Sequence, residues 1–162
     1  GVASDAPERY AAELLARVLG EPGIGRLHWL LVEPGLADAA SLVHESGVGF
    51  GRFVAGYEAD RGDSAEVAER LRDALAGAGP EDLAADDWTR ARTAWAAEVA
   101  LEAESTEAAA SAAADAWIDR EEAWDADTER ARILATPLAL GRELLERRPF
   151  ATWCEATLGP ER

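Results

Sequence analysis

The chain has 162 residues, a length that suits one domain spanning residues 1–162 and that buries roughly 70 % of the unfolded surface without help from disulfides or metal. Its one cysteine, Cys154, cannot bridge internally, which excludes a disulfide scaffold and points to a reducing, cytoplasmic setting. No apolar run approaches the ~20 residues of a membrane span, and 32 acids against 16 bases leave a net charge of −16 that phosphate backbones would repel, which argues against nucleic acid as a partner.

In chain order, Asp5 and Glu8 are spaced as a capping box ahead of an apolar stripe at Ala11, Leu14, Leu15 and Val18, which predicts a first helix. Gly20 then stands where a helix C-cap wants a positive φ. Glu21 to Gly25 reads as a loop, and Arg26 to Val32 as a short apolar segment closed by Pro34-Gly35. From Ala37 the period changes. Ala40 to Glu45 and Phe50 to Tyr57 read as strands joined tightly through Gly47-Val48-Gly49, an antiparallel hairpin.

Asp63 or Ser64 caps a second helix with Val67, Leu71, Ala74 and Leu75 on its inner face, ending near Gly77 to Gly79. Pro80-Glu81-Asp82 precedes a long helical stretch from about Asp86 to Trp124, apolar at Trp88, Ala91, Trp95 and Val99. Glu104-Ser105-Thr106 divides it, since Ser and Thr favour caps over helix interiors. The alanine run from Ala108 to Ala116 has helix propensity, and Pro137 opens a last helix through Leu140, Leu144 and Leu145.

This order predicts an α+β fold, an antiparallel or mixed sheet with helices packed on one face. Two strands make a marginal sheet, so a further strand ahead of Gly1 is expected to complete it. A start at Gly1-Val2 without methionine fits a processed chain or a piece of a longer one. The lack of Lys, Asn, Gln and Met beside 37 Ala reads as codon bias in a GC-rich genome.

Leu19-Gly20, Gly23-Ile24-Gly25-Arg26-Leu27, Gly35-Leu36-Ala37-Asp38, the Gly47 to Tyr57 hairpin, Pro80-Glu81-Asp82-Leu83 and Glu104-Ser105-Thr106 form an ordered set. Over residues 1–117 that set resembles one domain of the insulinase and mitochondrial-processing-peptidase family, the pitrilysin-type zinc metallopeptidases. The resemblance implies one half-domain of a duplicated α+β sandwich, whose halves close around an unfolded peptide. The family's zinc is held by an inverted His-x-x-Glu-His motif and a distal glutamate, with the motif glutamate acting as base toward zinc-bound water. This chain lacks that motif: its two histidines, His28 and His44, are sixteen residues apart.

In the family the opposite half supplies an arginine and a tyrosine that stabilise the developing oxyanion. The matching positions are Leu31 and Asp38, which cannot do that work. The resemblance therefore implies a C-terminal-type domain without catalytic or metal-binding residues of its own, its substrate-binding residues unknown and its zinc expected in a partner domain or subunit.

Among individual residues, His28 beside Trp29 reads as a half-buried histidine rather than a site. His44 and Glu45 alternate onto opposite sheet faces, so they make no shared metal site. The glycines of Gly47 to Gly51 lie between strands, with no helix start to offer amides to a phosphate, so they read as a turn. Arg61-Gly62-Asp63 spells an adhesion tripeptide but reads as a turn ahead of a helix cap. Trp88, Trp95, Trp117 and Trp124 form pairs seven apart on helix faces, core by default and otherwise a partner surface. The acidic groups around Trp124 read as a solvated face or as a preference for cationic peptides.

The function expected is a non-catalytic subunit or domain of a zinc metallopeptidase hetero-oligomer, walling a chamber for peptide processing. The alternatives are a structural or protein-interaction module on the same scaffold and an unrelated small-molecule-binding α+β domain.

Overall fold

The computed structural model describes residues 1–60 and 62–158. Its elements are α1 (Arg9–Gly20), a wide π turn (His28–Val32), β1 (Ala39–Gly47), β2 (Phe50–Glu58), α2 (Ser64–Ala76), a 3-10 turn (Pro80–Asp82), α3 (Ala85–Glu102), α4 (Thr106–Arg120), α5 (Ala126–Ala135) and α6 (Leu138–Glu146).

The α1 sequence alternates Ala and Leu so densely that Ala11, Ala12, Leu14, Leu15, Ala16 and Leu19 are all buried, more than one helix face can hold. The helix is accordingly covered on several sides, by β1, α3 and α6. It starts at Arg9. The Glu8 side chain makes no capping hydrogen bond and instead lies 3.4 Å from Arg147, so the Asp5–Glu8 box does not form. Gly20 also departs from its expected role. It stays helical, Glu21 beyond it is extended (φ −60°), and the positive φ comes later, at Gly23 (+83°). What Gly20 provides is space: a Cβ there would collide with the backbone and Cβ of Leu42 on β1.

The hairpin pairs Ala39 with Glu58 through Gly47 with Phe50, leaving Val48-Gly49 as the turn, with Gly49 at φ +73°. Ala40, Leu42, His44, Phe53, Ala55 and Tyr57 face inward. Val43, Phe50 and Val54 face outward and are exposed. The helices thus cover one face, as expected, and the sheet is antiparallel with no third strand among the described residues. The chain's first residues brace the turn end of the hairpin: the Ser4 amide donates to the Gly47 carbonyl at 3.2 Å, and the Val2 amide to His44 Nε2 at 3.1 Å.

In the π turn, Leu27 and Leu31 enter the core while Trp29 and Leu30 stay exposed. On α2, Val67, Leu71 and Leu75 are buried; Asp63 flanks its start without a side-chain capping bond. Arg61, the first residue of the tripeptide, lies outside the described residues.

Trp88 anchors α3 in the core, its Nε1 donating to the Thr136 carbonyl at 3.1 Å, and a Cβ on Gly141 would meet its ring at 2.5 Å. Farther along α3, Ala96 and Val99 join Tyr10 and Ile133 in a second, smaller cluster, against which Trp95 and Trp124 pack. Ser105 caps α4 as its sequence predicts, accepting from the Ala108 amide at 3.3 Å. α4 stops short of Trp124: Glu121 takes a left-handed conformation (φ 56°), so Trp117 and Trp124 share no helix face. No strong periodicity marks α5, which buries only Ile133 and depends on Asp125 accepting from the Thr128 amide at 2.8 Å.

A Gly20→Ala variant tests the α1–β1 contact. Overpacking predicts a loss of about 1–3 kcal/mol in urea denaturation. Helix propensity alone predicts the opposite sign, a gain of about 1 kcal/mol, and that gain would contradict the packing described.

Candidate functional site

The two histidines are held apart by the fold. His28 lies on the π turn with its ring edge-on to Trp29 at 5.6 Å, whereas His44 faces inward from β1, 5.0 Å from the ring of Phe53. Among the described residues no group of three or more His, Cys, Asp or Glu side chains is placed to hold a metal.

The two positions that the family resemblance aligned with transition-state stabilisers are equally unsuited to that role. Leu31 is fully buried, and Asp38 is exposed at the entry to β1, its amide donating to the Glu58 carbonyl at 2.7 Å. The glycines from Gly47 to Gly51 make the hairpin turn. There Gly51 runs so close to Val2 that a side chain would strike its backbone.

The concavity with the clearest architecture runs along β2, between that strand, α2 and the segment after α6, with a volume of about 490 Å³. Phe53, Ala55 and Tyr57 form its floor, Ala68 and Leu71 one wall, and Thr152 to Ala156 the other. The strand alternation that turns Phe53, Ala55 and Tyr57 to one face builds the floor, and the helical period at Ala68 and Leu71 supplies the wall.

Three contacts fix the groove's shape. The Tyr57 hydroxyl meets the Ser64 carbonyl and Oγ, both at 3.1 Å, tying β2 to the first turn of α2. Phe53 packs edge-on against Phe150 at 5.0 Å. Arg72 pairs with Glu155 at 3.2 Å, bridging α2 to the final segment. Arg52 lines the same groove, and Cys154 is free and exposed. Among the described residues of the lining, no histidine stands beside the Cys154 thiol. A strand edge facing a helix is a shape that receives extended peptide.

Sequence reasoning named no residue of this groove as a binding residue. Its second wall comes from a short, mixed segment after Pro149 that carries no periodic pattern.

A smaller polar cavity of about 180 Å³ lies at the start of α1. Burial, reinforced by the Glu129 carboxylate that accepts from its hydroxyl at 2.8 Å, raises the pKa of Tyr10 and keeps the phenol protonated. Burial likewise raises Glu13, against the pull of Arg17 at 3.1 Å.

No protein-family model and no curated protein matches the sequence. Solved structures do match in fold. The inactive peptidase domain of a protein assigned as a zinc protease from Bordetella parapertussis superposes with a TM-score of 0.75 at 19 % identity, covering 93 % of this chain and 80 % of that one. An M16-like peptidase from Alicyclobacillus acidocaldarius gives 0.70 at 20 % identity, over 88 % of this chain and 34 % of that one. A chain of complex III from Candida albicans, with Inz-5 bound, gives 0.73 at 14 % identity, over 91 % and 37 %. The chain therefore has the fold that the ordered motifs indicated, and it spans about a third of the two longer neighbours.

Burial lowers the pKa of His44 below its ordinary 6.5. The unfolded chain consequently takes up the proton first as pH falls, and the stability contributed by the neutral imidazole is complete above 6.5 and is lost below it. Urea midpoints measured from pH 7.5 to 5 should fall more steeply for the wild type than for His44→Phe. Parallel curves would show that His44 is not held neutral by the fold.

Proposed function

We propose that this chain is a non-catalytic half-domain of a pitrilysin-type zinc metallopeptidase assembly, contributing a wall of the chamber in which a peptide is held. The observation that carries this reading is the fold shared with an inactive peptidase domain, in a chain whose described residues gather no metal-binding group. The groove beside β2 supports it, because its apolar floor and strand edge suit an extended peptide and its lining offers no reacting pair.

On this reading the zinc and its base belong to a homologous partner domain or subunit. This chain supplies no catalytic residue, works as a single domain, and acts in the cytoplasm, where the free thiol of Cys154 would stay reduced. The likeness to a chain of complex III supports a second reading, a structural or interaction role on the same scaffold without proteolysis.

Isolation of the native assembly, with mass spectrometry of every polypeptide and metal analysis, tests the proposal. The expected result is a second chain carrying His-x-x-Glu-His and one zinc per complex. The purified chain by itself should hold no stoichiometric zinc and cleave no unstructured fluorogenic peptide. One equivalent of zinc on the isolated chain would overturn the proposal, and an assembly without any zinc-bearing chain would favour the structural role.

A further inference from the structure

α4 is apolar on two opposite sides and buried on one. Ala116 is its one buried residue, and Ala108, Ala109 and Ala112 on the same side are half-covered. Across the helix, Ala110, Ala113, Ala114 and Trp117 follow at i, i+3, i+4 and i+7, and all four are exposed, Trp117 by 63 %. Ile118 beside it is 69 % exposed. A solvent-exposed stripe that sets Trp117 and Ile118 among alanines has the composition of an interface. Alanines let a second helix approach closely, and tryptophan is the residue most enriched among the anchors of protein contacts.

The charges around the stripe select its occupant. Between Glu98 and Asp125 there are nine acids and one base, a net −8 that is half the charge of the chain. The one base, Arg120, is turned away, its side chain only 14 % exposed and lining the cavity shared with Arg9 and Tyr10. Exposed Glu107 and Glu121 stand at the two ends of the stripe. A second copy of this chain would bring the same negative field and be repelled, as would an anionic membrane.

We propose that the outer face of α4 docks a basic amphipathic helix of a partner protein, its apolar ridge seated on the alanines and Trp117 and its Lys or Arg residues meeting the acids at each end. α4 extends about 22 Å at 1.5 Å per residue, enough for about four turns of such a helix. The proposal does not depend on the peptidase reading, and either can fail without the other.

A labelled Leu/Lys amphipathic helical peptide of 15 residues, titrated into the full chain and followed by anisotropy, provides the test. It should bind, while the Leu/Glu counterpart should not. Trp117→Ala and Ala114→Gln should each weaken binding at least about tenfold with unchanged melting temperature. Neutralising the ends with Glu107→Gln and Glu121→Gln should weaken it and flatten its salt dependence. Emission assigned to Trp117 by comparison with Trp117→Phe should shift to the blue on binding. Absence of binding would overturn the proposal, as would affinity indifferent to Trp117→Ala, which would reveal only general attraction to an acidic chain. Self-association abolished by Trp117→Ala, or partition of Trp117 into phosphatidylcholine vesicles, would assign the face to those occupants instead.

Discussion

The close approach of α1 to β1 is the constraint from which the rest of the structure follows. A hairpin of two strands is marginal in water, and here it is held because Gly20 lets the helix axis come down onto Leu42. That contact buries the inward residues of both strands and leaves Val43, Phe50 and Val54 to solvent. With α1 occupying the inner face, the space left beside the sheet is the edge of β2, and α2 closes that space into a groove tied by Tyr57 to Ser64.

The same core fixes where the residues weighed as site candidates lie. Leu31 is committed to packing, so no substrate reaches it, and the two histidines are separated by the π turn and the strand that carry them. His44 is half of an aromatic pair with Phe53, and burial favours its neutral form. The open surfaces include an apolar groove along β2 and an alanine-tryptophan stripe along α4 within a strongly acidic segment.

Much of this was legible in the sequence because local chemistry and tertiary burial agreed. The hairpin followed from alternation and a glycine turn, the α3–α4 break from Ser105, and the last helix from Pro137. The errors mark where tertiary contact overrode a local rule. By its local position Gly20 is a conformational glycine, whereas its role in the fold is steric and depends on a strand more than twenty residues away. The Asp5–Glu8 box did not form because the helix begins at Arg9 and Glu8 lies near Arg147. Nothing local announces the left-handed Glu121 that takes Trp124 off α4, and α5, with a single buried isoleucine, leaves almost no periodic trace in the sequence. The groove was the least legible feature, since it joins three segments distant in sequence.

The proposed role is that of a domain that holds a substrate chain while another chain carries the metal. Its most direct test is an anomalous difference map at the zinc edge from crystals of the native assembly. The account predicts a zinc peak ligated wholly by a different polypeptide, with the β2 groove opening toward the space that peak borders. A peak ligated by His28, His44 or any other side chain of this protein would contradict it.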